Sequence, residues 1–281
     1  LNVKQLKDIP FLPVELFKTH EIISSEKKAN KIFESSGTTR TVSSKHLVAD
    51  VDLYEESFKS GFNFFYGSPS DYVILALLPS YLERGNSSLV YMADKLIQLS
   101  GKKEGGFFLN EFDKLNALLL TLKEQKQRTI LLGVTFALLD FAEKFKIYFP
   151  ELVVMETGGM KGRREELTRQ EVHQILCSSF GVQQIHSEYG MTELLSQAYS
   201  KGDGVFKSPP WMKILLRDIY DPLQFEAENK SGAINVIDLA NLYSCSFIAA
   251  SDLGKINADG SFEIIGRMDN SEIRGCNLMV L

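Results

Sequence analysis

The sequence predicts an α/β fold, a mainly parallel sheet flanked by helices with a small β-rich subdomain attached, and three observations point to it. Strand-like apolar runs alternate with helical patterns through most of the chain, as βα units require. After about Gly204 the texture changes to short β segments with no helix of any length between them. No internal repeat, low-complexity tract or long linker interrupts the 281 residues. The expected organisation is one unit of two subdomains, 1–204 and 205–281, with a ligand cleft between them.

In chain order, the apolar runs place strands at 30–34, 72–78, 129–134, 152–157 and 183–186, each followed by a turn-like or polar segment. The helix between the last two is the most fully specified. Thr168 and Glu171 have capping-box spacing, Val172, Ile175, Leu176 and Phe180 recur at helical period, and Gly181 supplies the stop. Downstream, short β segments are expected at 233–239, 246–250, 255–257 and 262–265, with Asn257, Ala258, Asp259 and Gly260 as a tight hairpin turn.

Bulk properties exclude whole function classes. With 44% hydrophobic and 24% charged residues the chain is an ordinary globular protein able to bury a sizeable core. Its net charge is −5, and the basic residues are scattered apart from Lys161, Arg163 and Arg164. There is thus no electrostatic footprint for nucleic acid or an anionic membrane, while small anionic ligands stay open. Three cysteines without a CxxC pair, and no secretory signal or long apolar span, give the expectation of a reducing, cytoplasmic compartment and no membrane insertion.

The stretch Phe33-Glu34-Ser35-Ser36-Gly37-Thr38-Thr39-Arg40 runs from a strand into a small, hydroxyl-rich loop. Gly37 permits a sharp turn, the loop N–H groups and the hydroxyls of Ser35, Ser36, Thr38 and Thr39 can donate to phosphate oxygens, and Arg40 adds charge. Such clusters are more often plain surface turns, and the Gly-Lys-Ser/Thr ending of a Walker loop is absent. A second stretch, Ser187-Glu188-Tyr189-Gly190-Met191-Thr192-Glu193, follows the strand expected at 183–186. Here an aromatic ring, a glycine for close approach, a hydroxyl and a carboxylate could stack on a base, bond a phosphate and hold Mg²⁺ through Glu193. The plain alternative is a strand-to-helix turn with an exposed tyrosine.

Together these residues resemble the adenylate-forming enzymes, which include acyl-CoA synthetases, luciferases and phenylacetate-CoA ligases. That family's phosphate loop reads Ser-Ser/Thr-Gly-Thr-Thr-Gly and its adenylate motif Tyr-Gly-x-Thr-Glu; 35–39 and 189–193 match both, in order. Ser251-Asp252-Leu253-Gly254 resembles the motif whose Asp binds the ribose hydroxyls, and Gly266-Arg267-Met268-Asp269 the hinge whose Arg contacts ribose or phosphate. Glu156-Thr157-Gly158-Gly159 stands where the family places the backbone that flanks the adenine. The resemblance implies the fold of the family's N-terminal core, with ATP and Mg²⁺ as cofactors. It also implies Thr192 and Glu193 as catalytic residues, with Ser35 to Arg40, Gly158, Gly159, Tyr189, Gly190, Asp252 and Arg267 binding the nucleotide.

Two departures refine it. Arg40 replaces the second glycine of the phosphate loop, and the sequence stops at Leu281, so the expectation is a chain without the family's lid domain and lid lysine. The closest resemblance is to the acyl-protein synthetases of bacterial luminescence, short members with a near-terminal cysteine that receives the acyl group. Arg274-Gly275-Cys276-Asn277 matches that arrangement, and a thiol beside Arg274 is open to partial ionisation and attack on an acyl adenylate; the alternative is a small buried hydrophobe. The resemblance implies an NADPH-dependent acyl reductase as partner. Two further readings stay open, a ligase that uses coenzyme A and a silent nucleotide or acyl binding module. His173 and Cys177 share a helix face but lack further ligands for a metal. His186 fits an acyl cleft or a buried strand. The aromatic run Phe62, Phe64, Phe65 and Tyr66 fits an acyl chain or ring, or a core role. No Gly-x-Ser-x-Gly elbow is present.

Overall fold

The computed structural model describes residues 3–35, 42–78, 86–158, 167–226 and 230–268. The chain opens with β1 (Leu12–Pro13) and a 3-10 helix, Val14–Lys18, followed by β2 (Lys31–Glu34), β3 (Lys45–Val48) and the long α1 (Val51–Tyr66). Then come β4 (Val73–Leu77), α2 (Ser88–Ser100), β5 (Gly106–Phe108), α3 (Phe112–Glu124), β6 (Thr129–Val134), α4 (Thr135–Lys144), β7 (Val153–Thr157), α5 (Arg169–Phe180) and β8 (His186–Tyr189). The remainder is β9 (Ala198–Ser200), β10 (Val205–Lys207), β11 (Met212–Arg217), β12 (Ser231–Asp238), a 3-10 turn at Leu239–Asn241, β13 (Phe247–Ile256) and β14 (Phe262–Arg267).

The α/β expectation holds. Strands β5-β4-β6-β7-β8 are parallel, and the same sheet continues antiparallel through β9-β10-β14-β13-β12-β11. Strands β4 and β6 are buried at every position, as strands covered on both faces must be. One core gathers β4, β6 and β7 with the apolar faces of α1 to α5. A second surrounds β11 to β14 and takes in Phe17 and Tyr189. Each fully buried Phe or Leu of these cores contributes roughly 1.5–3 kcal/mol. Among the described residues no helix is long and apolar enough to cross a membrane.

Local chemistry behaves as expected at α5: Glu171 N–H donates to Thr168 Oγ1 (3.3 Å), Thr168 N–H donates to Glu171 Oε2 (2.8 Å), and Gly181 ends the helix at φ 67°. The turn at 257–260 also forms, with Asn257 accepting from Gly260 N–H (2.9 Å) between β13 and β14. Three expectations are corrected. The strand at 30–34 forms as β2 but does not join the parallel sheet. It pairs antiparallel with β3, because Ser35 and Ser44 bond each other through backbone and side chain and turn the chain straight back. The strand expected at 183–186 lies at His186–Tyr189, so Tyr189 ends the strand rather than following it. Its polar residues are carried there by side-chain partners on β7, Ser187 donating to Glu156 (2.8 Å) and Thr157 to Glu188. The segments 246–250 and 255–257 are one strand, β13, whose register shift at Leu253 and Gly254 absorbs the Asp-Leu-Gly sequence that reads as a break.

Candidate active site

Register brings the distant motifs together. In the β13–β14 pair Asp252 stands opposite Arg267, with Arg267 Nε 3.7 Å from Asp252 Oδ1. The other carboxylate oxygen accepts from the hydroxyl of Tyr189 at the end of β8 (2.9 Å). Tyr189, Asp252 and Arg267, spread over nearly eighty residues of sequence, therefore form one chain of contacts. Arg267 is 79% exposed and Asp252 17%, so the cluster opens to solvent on the guanidinium side. Burial pushes the Asp252 carboxyl above the usual range, against the pull of the Tyr189 hydrogen bond and the Arg267 charge.

The turn after β8 carries Gly190, Thr192 and Glu193. A Cβ at Gly190 would meet the Glu188 carboxylate, which would have to shift to admit it. Glu193 is buried, and burial raises its carboxyl, opposed by a hydrogen bond from Ser44 and by the charges of Arg267 and Lys18. Side chains from three other elements hold this turn. His46 of β3 places Nδ1 2.7 Å from Thr192 O, Asn241 donates to Glu193 O (2.7 Å), and Asp238 at the end of β12 accepts from Leu195 N–H (2.8 Å) and Ser196 N–H (3.0 Å).

At the end of β7, Gly158 turns at φ 70° and its carbonyl accepts from Thr135 Oγ1 (2.6 Å), which also reaches Glu156 (2.7 Å). Ser35 lies at the mouth of the β2–β3 hairpin, its Oγ accepting from Ser44 N–H (2.8 Å). Ser36, Gly37, Thr38, Thr39, Arg40, Gly159, Asp269 and Cys276 lie outside the described residues. His186 is half-buried with Nδ1 3.1 Å from the Tyr66 hydroxyl, and burial with the Lys201 charge lowers it to about 4. Phe62 and Tyr66 pack into the core while Phe64 is 62% exposed. His173 Nε2 stands 3.7 Å from Glu156 Oε1, and Cys177 packs against the core. Among the described residues no group of three or more His, Cys, Asp or Glu is placed to hold a metal by itself.

Several site residues carry no motif. His46 stands beside Lys45 in the short run Lys45-His46-Leu47-Val48, and Asn241 and Asp238 sit in an unremarkable Ile-Asp-Leu-Ala-Asn run. Glu15 and Lys18 come from the N-terminal 3-10 helix: Glu15 accepts from the Ser251 hydroxyl, and Lys18 is exposed within the field of Glu193. Only the alternation of Lys45 to Val48, with His46 and Val48 inward, could have singled out His46.

The same arrangement of strands and helices occurs in solved enzymes. ATP-bound MatB from Rhodopseudomonas palustris superposes with a TM-score of 0.63 at 18% identity, over 84% of this chain and 47% of that one. The luciferase-like enzyme of the nonluminescent Zophobas morio mealworm gives 0.59 at 16% identity, over 88% and 60%. O-succinylbenzoate coenzyme A synthetase (MenE) from Bacillus subtilis, in complex with AMP, gives 0.55 at 16%, over 87% and 50%. The fold is the one these solved enzymes share over the matched part of their chains. The chain spans about half the length of solved structures it matches, 47% of MatB among them. No protein-family model matches it, and no curated protein does.

Proposed function

We propose that this chain activates a carboxylic acid with ATP and then carries the acyl group on its own cysteine, as an acyl-protein synthetase does. The observation that carries the first half is the meeting of Tyr189, Asp252 and Arg267 beside the Thr192–Glu193 turn, within a fold shared with ATP-bound and AMP-bound enzymes. The donor set fits a nucleotide with its magnesium: carboxylates and hydroxyls, all hard oxygen ligands, with Arg267 and Lys18 for phosphate charge. Glu193 is the residue that would hold Mg²⁺, which when bound neutralises phosphate charge.

In the first step a carboxylate oxygen of the acid bonds to the α-phosphorus, the bond to the β-phosphate bridge breaks, and pyrophosphate leaves. Asp252 accepts from the ribose hydroxyls, Arg267 and Thr192 bond ribose and phosphate, Gly158 and Gly159 flank the adenine with Tyr189 and Gly190, and Ser35 to Arg40 hold the departing pyrophosphate. In the second step the Cys276 thiolate, its proton lost to solvent, bonds to the acyl carbon and AMP leaves. The thioester is then delivered to an NADPH-dependent acyl reductase. This reading places the catalysis between subdomains 1–204 and 205–281 of a cytoplasmic protein, with a fatty acid as substrate.

A coenzyme A ligase is the second reading, favoured by the likeness to a coenzyme A synthetase. The deciding experiment is carboxylic-acid-dependent ATP–pyrophosphate exchange, followed by intact mass of wild type and Cys276→Ser after incubation with ATP, Mg²⁺ and a panel of acids. An adduct cleaved by neutral hydroxylamine and lost in Cys276→Ser is the expected result. AMP release without an adduct, rising with coenzyme A, replaces it by the second reading; no exchange with any acid leaves a nucleotide or acyl binding module.

A further inference from the structure

His46 is fully buried in β3, its ring edge-on to Phe17 of the N-terminal 3-10 helix at 5.5 Å and 84°. An imidazole taken out of water is costly unless both nitrogens meet polar partners. These are Thr192 O at 2.7 Å from Nδ1 and Asn241 Oδ1 at 3.0 Å from Nε2. Asn241, also fully buried, sends its Nδ2 to Glu193 O at 2.7 Å. Two successive carbonyls, those of Thr192 and Glu193, are thus taken by two side chains that touch each other. Among the described residues no strand pairs with the turn at these positions, so its peptide planes are set by side chains rather than by a ladder.

The surroundings fix the clamp from behind. Asp238 caps the 3-10 turn that presents Asn241 by accepting from Ala240 N–H (3.1 Å), and the same carboxylate holds the N–H groups of Leu195 and Ser196. Residues 192 to 196 are bound at both ends, to groups from β3, β12 and the Leu239–Asn241 turn. A neutral ring carries one N–H, and with it on Nδ1 the facing Nε2 and Asn241 Oδ1 are both acceptors, so the bonds that hold the turn are Nδ1–H to Thr192 O and the Asn241 amide N–H to Glu193 O.

We propose that His46 and Asn241 are positioning residues that set the Thr192–Glu193 turn, and through it the Thr192 hydroxyl and the Glu193 carboxylate, for the nucleotide. This rests on the proposed acid-activating function. A displacement of about 1 Å at reacting groups costs on the order of 100-fold in rate.

The test uses His46→Leu, His46→Asn, whose amide N–H can replace the Nδ1 proton, and Asn241→Ala, each in the full chain. Expected for His46→Leu is an exchange kcat lowered about 100-fold with the KM for the acid within a factor of two, and recovery to within about tenfold in His46→Asn. In the nucleotide-free protein, amide hydrogen exchange at 192–196 speeds up in His46→Leu and Asn241→Ala, and the ¹⁵N shifts of wild-type His46 report a neutral ring protonated at Nδ1. The proposal is overturned by unchanged exchange at 192–196, or by activity that falls only with the folded fraction and is not restored by His46→Asn. If the wild type exchanges pyrophosphate with no acid, the functional reading fails on its own, and the amide exchange and ¹⁵N shifts still decide whether the clamp exists.

Discussion

At Glu193 and Glu188, burial raises two carboxyls that sit five residues apart, with different consequences. Glu193 faces Ser44 and the charges of Arg267 and Lys18. Glu193→Gln keeps the shape and removes the charge, so exchange activity should fall about 100-fold or more while the melting temperature holds; a pyrophosphate exchange assay beside a thermal melt reads both. Among the described residues Glu188 accepts a hydrogen bond from Thr157 alone; burial, helped by the charge of Glu156, raises it to about 7. Its folded-state pKa lies above the unfolded value of 4.5, so the folded chain binds the proton more tightly and Glu188 contributes stability in acid. That contribution is full below about 4.5 and lost as pH rises through about 7. Stability should decline between pH 5 and pH 8 on this account, and Glu188→Gln should flatten the decline, as melts at half-unit pH intervals would show. His46, held down to about 4 chiefly by burial, works the other way, its neutral form costing stability only as the pH falls from 6.5 through about 4.

Elements place these residues. The β2–β3 hairpin carries Ser35 at one end and His46 on its return strand, and Phe33 anchors it against Tyr54 and Tyr91 with ring centroids 5.4 and 5.6 Å apart. Phe33→Ala should cost about 3–5 kcal/mol in urea unfolding, and the loosened hairpin should raise the KM for ATP. At α5 the contrast is a local one. Thr168→Ala removes one partner of the capping box and should cost about 1 kcal/mol, read in urea unfolding.

For the whole molecule, the nucleotide-motif residues come from both halves of the sheet. Tyr189 packs in the second core at the end of a strand of the parallel half, and Asp252 and Arg267 belong to the antiparallel half. A ligand held across them ties the halves together. ATP with Mg²⁺ at a hundred times its dissociation constant should stabilise the chain by about 2.7 kcal/mol, and Asp252→Ala should abolish most of that shift in a melt followed with and without nucleotide. A shift that survives Asp252→Ala places the nucleotide elsewhere.

What the sequence determined by itself was whatever depends on neighbours within a few residues. The buried runs of β4 and β6, the capping box of α5 and the turn at 257–260 are all local, and the structure bears out each. The tertiary structure decided what depends on partners far along the chain. β8 starts at His186 because Glu156 and Thr157 on β7 partner its polar residues, β2 pairs with its own return strand, and Asp252 meets Arg267 through register. No motif marks His46 or Asn241, because their partners, the carbonyls of Thr192 and Glu193, lie 146 and 48 residues away. A hydrogen bond to a backbone carbonyl leaves no signature in the identity of the residue that supplies it.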